Sequence, residues 1–89
     1  MPENFALHQN YPNPFNPITT IRFDLATATN VKLTIYDITG RLVDELVNSN
    51  MNAGSYDLRW NAAHLSSGMY LYRIETPEFT ATNKLLLLK

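Results

Sequence analysis

The side chains that could carry out chemistry are few and scattered along this chain of 89 residues. The two histidines, His8 and His64, are far apart in sequence, and the chain has no cysteine. His64 precedes Ser66 and Ser67, but a serine nucleophile needs an oriented base and an oxyanion site, and an irregular polar loop explains this run more simply. No group of histidines and acids has metal-ligand spacing. The sequence therefore predicts a protein that is not an enzyme and uses no metal or cofactor.

Charge and glycine spacing exclude further classes. Asp44 and Glu45 are adjacent, so on a strand they point to opposite faces and cannot share a proton. The glycines, Gly40, Gly54 and Gly68, stand singly and form no phosphate-binding loop. A net charge of −1 without a basic patch argues against a nucleic acid partner. The longest apolar run is four leucines, far short of the roughly 20 residues that a membrane-spanning helix needs.

The aromatic residues leave one binding hypothesis open. Four tyrosines could form a strip on which sugar rings stack, as rows of aromatic side chains do in binding modules. The alternative is that these rings pack in the core and across neighbouring strands. A sugar-binding strip requires all of the rings to be exposed on one face, and the residues concerned are Tyr36, Tyr56, Tyr70 and Tyr72.

Alternating apolar and polar residues predict strands along most of the chain. The pattern slips between Arg41 and Val47, where a β-bulge or a short helix would explain it. Gly40 is expected at a positive φ in a hairpin turn, and residues 48–53 are expected to form a loop. Turn signals between the strands and the absence of a convincing helix predict an all-β antiparallel sandwich of about seven strands, immunoglobulin-like or fibronectin type III-like. The predicted strands are Thr19–Leu25, Val31–Ile38, Arg41–Val47, Ser55–Trp60, Met69–Ile74 and Thr80–Lys89.

The inward-facing positions of these strands define the expected core. The chain is the size of a single domain, and such a small domain has marginal stability. A buried Trp60 would therefore contribute a large share of the stability. The predicted core consists of Ile21, Phe23, Leu25, Val31, Leu33, Ile35, Tyr56, Leu58, Trp60, Tyr70, Tyr72 and Ile74.

The segment Gln9–Pro17 is a shaped lead-in. Its three prolines fix φ, remove backbone donors and keep the preceding residues out of the helical region. It could run as polyproline II with the asparagines on one edge, or it could form two Asx-type turns. In either case Tyr11 and Phe15 are expected to pack on the edge of a sheet and to cover unpaired strand groups.

The segment Lys84–Lys89 places four leucines between two lysines. One interpretation is a core strand whose flanking charges discourage aggregation. The other is an edge strand that is offered to a partner, with the basic end as a tag.

Together these segments resemble the type A C-terminal sorting domains of the type IX secretion system. Gln9–Pro17 is similar to the opening signature of that family, and Tyr36–Arg41 to its central turn motif. Two glycine-x-tyrosine motifs and the two terminal lysines follow in the same order. The residues that carry the signature are Asn10, Tyr11, Pro12, Asn13, Pro14, Phe15, Asn16, Pro17, Asp37, Gly40, Arg41 and Trp60.

The resemblance implies a non-catalytic signal that directs an attached upstream cargo protein from the periplasm through the outer membrane. The implied partners are the outer-membrane secretion machinery and a sortase that often removes the domain, so that the cargo is released or anchored at the cell surface. The implied location is secreted or cell surface. The residues implied in recognition by the machinery are Gly54, Tyr56, Gly68, Tyr70, Lys84, Leu85, Leu86, Leu87, Leu88 and Lys89.

The resemblance also divides the chain. Residues 1–8 are expected to lead in from an upstream linker, and residues 9–89 to form the sorting domain. The start Met1-Pro2-Glu3 fits a piece of a longer precursor. Removal of residues 84–89 is expected to stop export and to leave folding largely intact.

Three other roles stay open. The domain could be an accessory carbohydrate-binding module of a secreted hydrolase, or a structural spacer between domains. It could also form a weak homodimer through an open sheet edge.

Overall fold

The predicted strands are present, and they form two antiparallel sheets. The computed structural model describes residues 2–89, and in that range it contains seven strands and no helix. One sheet has the order β1-β2-β5 and the other the order β4-β3-β6-β7, which confirms the all-β sandwich. The strands are β1 (Ala6–Leu7), β2 (Ile18–Leu25), β3 (Thr29–Asp37), β4 (Leu42–Met51), β5 (Gly54–Asn61), β6 (Gly68–Glu75) and β7 (Thr80–Leu87).

The core lies between the two sheets and follows the predicted alternation. All of the predicted core residues are buried except Tyr56 and Leu58, which are half-buried against the cluster because β5 is an edge strand. Burial of such side chains removes apolar surface from water, at about 25 cal/mol per Å². The structure adds four buried side chains that periodicity did not predict: Phe15, Ala62, Leu85 and Leu87.

The β3–β4 hairpin explains the slipped pattern. The register shifts between Leu33 and Thr34 and again between Ile35 and Tyr36, so bulges, not a helix, disturb the alternation. The predicted loop over residues 48–53 is wrong for residues 48–51, since β4 continues to Met51. The side chains at 48–50 are polar and exposed at a sheet edge, so an apolar pattern is missing although the backbone pairs with β3.

The central turn motif is a local structural device. The Asp37 carboxylate accepts hydrogen bonds from the Thr39 side chain and from the backbone N–H groups of Thr39 and Arg41. The Thr39 hydroxyl is the main reason that the pKa of Asp37 lies below its ordinary value. Gly40 has a φ of 89°, as predicted, and side chains with a Cβ rarely adopt that conformation. Asp37, Gly40 and Arg41 thus fix the connection between β3 and β4.

Candidate recognition site

The segment Gln9–Pro17, here called the strap, crosses from one sheet to the other. Tyr11 exchanges both backbone hydrogen bonds with Thr20 of β2, at 3.0 and 2.9 Å. Farther along, the Phe15 N–H donates to the carbonyl of Leu86, and the Leu88 N–H donates to the carbonyl of Phe15, both at 3.0 Å. The strap therefore closes the side of the sandwich where β2 and β7 lie.

Neither expected conformation describes the strap fully. The chain bends at residues 12–14 and again at 16–17, which interrupts a polyproline II path. The Tyr11–Pro12, Asn13–Pro14 and Asn16–Pro17 peptide bonds are cis. Asn13 does not make an Asx turn with its own segment, because its side-chain oxygen accepts from the Leu86 N–H at 3.0 Å.

The two aromatic residues of the strap behave differently. Phe15 is 2% exposed and packs at 6.0 Å from the Trp60 ring, as expected. The expectation that Tyr11 packs on the sheet edge is wrong, since its side chain is 80% exposed. The backbone of Tyr11, and not its ring, covers the edge of β2.

A buried polar cluster anchors the start of the strap. The Asn10 N–H donates to the Tyr72 hydroxyl at 2.9 Å, and that hydroxyl donates to the carbonyl of His8 at 2.6 Å. The Asn10 side chain donates to the Thr19 hydroxyl at 3.0 Å. Burial raises the pKa of the Tyr72 phenol, so the phenol keeps its proton at neutral pH. Asn10, a signature residue only 2% exposed, is thus hydrogen-bonded to two buried side chains.

This cluster predicts a clear effect for Tyr72→Phe. The variant leaves the buried Asn10 N–H without its acceptor, so we expect the free energy of unfolding to fall by about 1–3 kcal/mol. Urea unfolding followed by fluorescence measures this change. Tyr56→Phe is the matched control, because its hydroxyl donates to the carbonyl of Asn52 in an exposed position. Equal losses in the two variants would contradict the role assigned to the cluster.

The terminal segment, residues 84–89, contains the buried leucines of a core strand. Leu85 and Leu87 are fully buried, whereas Leu86 is half-buried and Leu88 is 49% exposed. The flanking Lys84 and Lys89 are both exposed. The terminal segment is therefore a core strand on one face, and its other side chains are accessible.

The strap and the terminal segment form one unit. The outer edge of β7 is not a free edge near its end, because Gln9 donates to the carbonyl of Lys84 at 2.8 Å and the strap holds the backbone of Leu86 and Leu88. At the tip, the Lys89 ammonium donates to the carbonyl of Ala63 at 2.7 Å. The opening and closing signatures, more than 60 residues apart in sequence, thus meet in space.

The two glycine-x-tyrosine motifs have the same local hydrogen-bond arrangement. The Tyr56 hydroxyl donates to the carbonyl of Asn52, and the Tyr70 hydroxyl to the carbonyl of Ser66, both at 2.7 Å. Gly54 and Gly68 each have a φ of 152° at the start of a strand. The contacts of these four residues are internal to the sandwich, so they shape the loops that precede β5 and β6.

The tyrosines do not form a sugar-stacking strip. Tyr70 and Tyr72 are buried in the core, and Tyr56 stacks on Phe23 with ring centroids 5.3 Å apart. Tyr36 lies on the opposite face of β3 from the buried Ile35. The interpretation as core and cross-strand packing therefore holds for three of these rings.

The histidines are also separate in space. His8 pairs with Asp24 at 2.8 Å, while His64 lies in an exposed loop. Among residues 2–89, no three histidine, cysteine or acidic side chains are placed to share a metal ion. Within the same residues there is also no helix of the length and hydropathy needed to cross a membrane.

The His8–Asp24 pair predicts a small acid-dependent loss of stability. The hydrogen bond from His8 is the main reason that the pKa of Asp24 lies below its ordinary value of 3.8. A carboxyl with a lowered pKa stabilises the fold above its unfolded pKa and loses that contribution as the pH falls through the folded value. Below about pH 4 we expect the loss of this contribution to lower the free energy of unfolding, measured in urea, by up to about 1 kcal/mol. Asp24→Asn should remove this part of the decline and Asp57→Asn should not; an unchanged decline in Asp24→Asn would contradict the assignment.

The comparisons with known proteins agree with the fold and with the signature. The family model for the secretion system C-terminal sorting domain matches residues 9–88, and the chain belongs to this family. No curated protein matches the chain. Because the chain belongs to this family, it is a sorting domain of type IX secretion and part of a secreted or surface protein.

Two solved structures from Porphyromonas gingivalis are similar. PorZ, an essential bacterial surface component of the type IX secretion system, is 22% identical with a TM-score of 0.66. Dimeric latent PorU is 26% identical with a TM-score of 0.67. Each match covers 94% of this chain, but only 12% of the PorZ chain and 9% of the PorU chain. This domain thus corresponds to a small part of each of those proteins.

Sequence reasoning missed several residues that build the site. Gln9, Thr19 and Tyr72 hold the strap through hydrogen bonds, and Asn83 donates to the carbonyl of Leu7 just before it. Tyr72 was predicted as a core residue, but not as the acceptor for Asn10. A buried amide needs a partner, but Asn10 is one of three asparagines in the strap, and its residue type does not mark it as the buried one.

Proposed function

We propose that the strap and the terminal segment act together as an address that outer-membrane components of the type IX system read. The observation that carries this proposal is the closure of the strap on β7, which holds Lys84 on the strand and fixes the backbone of Leu88 just beyond it, while Lys89 is held by the carbonyl of Ala63. A preorganised surface loses less conformational entropy on binding than a mobile tail would. The four residues of the glycine-x-tyrosine motifs contribute by fixing the loops below this surface.

In this proposal the attached cargo reaches the periplasm first and then crosses the outer membrane. A sortase removes the domain, and the cargo is released or anchored at the surface. We further propose that the domain itself is not catalytic. The boundary is proposed at residue 9, with residues 1–8 as lead-in, although β1 already pairs with β2 and Phe5 stacks on Phe79 at 5.8 Å.

Self-association through an edge of the four-stranded sheet would use β4. The end of the β7 edge is covered by the strap, whereas β4 lies at the other edge of the same sheet. The two bulges of the β3–β4 pair twist β4 and weaken it as a template for pairing. We therefore propose that a homodimer through this edge is weak, which sedimentation of the isolated domain at several concentrations tests.

Charge reversal at the two exposed lysines tests the recognition proposal. Lys84→Glu with Lys89→Glu removes both cations of the terminal segment and leaves Leu85 and Leu87 in the core. In a host with the type IX system, we expect export of a periplasm-directed reporter fused to the domain to fall by about tenfold, the equivalent of about 1.4 kcal/mol of binding.

The matched control reverses two exposed cations elsewhere, in Lys32→Glu with Arg59→Glu. This control should be exported like the unchanged domain. Thermal unfolding of both purified variants verifies that they fold. Equal export of the two variants would show that the terminal lysines are not read.

A further inference from the structure

The outer face of the four-stranded sheet carries an apolar surface next to the terminal segment. Tyr36 of β3 lies directly opposite Leu42 of β4 on one side and Leu71 of β6 on the other. Residues directly opposite each other on neighbouring strands share a face. Ile35 and Tyr72, the next residues along β3 and β6, are fully buried in the core, so this row points outward. With Met69 and Leu86, a second opposed pair on the same face, the set is called the sheet platform: Tyr36, Leu42, Met69, Leu71 and Leu86.

Exposed apolar side chains concentrate at this platform. Leu42 is 55% exposed and Met69 39%, while Ile38 in the following turn is 72% exposed and Leu88 beyond β7 is 49% exposed. Among the large apolar side chains that residues 2–89 expose, Tyr11 is the one that lies away from this region. Scattered exposed apolar residues are normal, but a cluster of them on a small domain marks an interaction surface.

A shallow pocket lies beside Tyr36 and Leu71 of the platform. It has a volume of about 220 Å³ and is lined by Tyr36, Gly40, Leu71, Arg73 and Thr82. The floor and walls offer an aromatic ring, an aliphatic side chain and a guanidinium group. A site of this composition accepts an apolar side chain and hydrogen-bonds a polar group beside it.

Two cations, Lys84 and Arg73, lie at the border of the platform along β6 and β7, and the carboxylate of Glu45, opposite Thr34, lies at its border on β4. Lys84 lies directly opposite Leu71, and Arg73 is two residues farther along β6, on the same face. Arg73 contacts Glu75 at 3.1 Å, whereas Lys84 is in none of the ion pairs between described residues. Carboxylates on a different protein would complement the two cations.

We propose that the sheet platform is a docking surface for a protein segment that inserts an apolar side chain beside Tyr36 and places carboxylates near Lys84 and Arg73. This inference rests on the proposed function, because the segment belongs to a component of the secretion machinery. It extends the contact from the terminal segment across β6 and β3 to β4. Leu86 is part of both surfaces and makes them continuous.

The test is the export of a periplasm-directed reporter fused to the domain in a host with the type IX system. Leu42→Asp with Met69→Asp changes two exposed platform residues outside the terminal segment and replaces apolar contact surface with carboxylates, which the carboxylates of the partner would repel. We expect export to fall by about tenfold or more, as for central interface residues. Thr27→Asp with Ala28→Asp is the matched control, since it adds the same two carboxylates at exposed positions between β2 and β3, outside the strap, the terminal segment and the platform, and it should be exported normally.

The outcomes separate the two proposals. If the unchanged domain is not exported, the proposed function fails. If the unchanged domain and the Leu42→Asp, Met69→Asp variant are exported equally, the function stands and the docking surface is overturned. A loss of export as large for Thr27→Asp with Ala28→Asp as for the platform variant would also overturn it. Thermal unfolding of the purified variants verifies that export is compared between folded domains.

Two further measurements distinguish other occupants of the platform. Sedimentation of the isolated domain should show a monomer; a dimer that Leu42→Asp with Met69→Asp abolishes would assign the platform to a second copy. Vesicles of phosphatidylglycerol and phosphatidylcholine should not bind the domain. Binding that the same variant abolishes would assign the platform to a lipid surface. Either result would overturn the protein segment as its occupant.

Discussion

A chain that ends at Asn83 should not fold. Removal of residues 84–89 deletes Leu85 and Leu87, both fully buried, and the loss of a buried leucine side chain costs about 2–5 kcal/mol. It also removes the backbone groups with which Phe15 and Asn13 of the strap pair. A domain of this size has only about 5–15 kcal/mol of stability in total. Circular dichroism and the dispersion of amide proton resonances should therefore show an unfolded chain.

This predicted outcome differs from the sequence-based expectation that removal of the terminal segment leaves folding largely intact. The matched control is Leu88→Ser with Lys89→Ser, which changes the end of the chain but keeps the buried leucines. Its free energy of unfolding should stay within about 0.5 kcal/mol of the unchanged domain, as is usual for surface changes. A folded chain ending at Asn83 would contradict the role assigned to β7. Loss of export by truncation alone thus cannot identify a recognition signal.

Trp60→Ala should lower the free energy of unfolding by about 3–5 kcal/mol. Trp60 is 3% exposed and lies between two rings, at 6.0 Å from Phe15 of the strap and 6.4 Å from Tyr70 of β6. Its indole N–H also donates to the Asp44 carboxylate of β4 at 3.1 Å. One side chain therefore connects both sheets and the strap, and its removal leaves a cavity at their junction.

Urea unfolding measures this loss, with Tyr11→Ala as the control, since Tyr11 is 80% exposed. Trp60→Phe separates the two contributions, because it keeps an aromatic ring and loses the hydrogen bond to Asp44. We expect a smaller loss for Trp60→Phe than for Trp60→Ala. A loss below about 1 kcal/mol in Trp60→Ala would show that Trp60 is not a central core residue.

The strands were predictable because period-two alternation depends only on which face is buried. β2 and β6 alternate cleanly, and the buried apolar residues of β2, β3 and β6 were all identified. The polar end of β4 was missed, since Asn48–Asn50 pair through the backbone alone and leave no apolar pattern. Leu85 and Leu87 were not assigned to the core because the run of four leucines hides the alternation of buried and exposed side chains.

The site was predictable as two separate motifs, but not as a unit. The prolines and asparagines of the strap showed that the segment is shaped, and the lysines and leucines marked the end of the chain. That Asn13 and Phe15 pair with β7 depends on contacts between residues more than 70 apart. Local residue patterns carry no information about such pairing. The same holds for the sheet platform, whose residues come from four strands.

Export of a reporter tests the central claim most directly. A periplasm-directed reporter fused to residues 1–89 is expressed in a host with the type IX system and in the same host with the system inactivated. The fusion should appear at the cell surface or in the medium of the first host and stay in the periplasm of the second. Retention of the folded fusion in the periplasm of both hosts, with the domain intact, would contradict the conclusion that the strap and the terminal segment form a sorting signal.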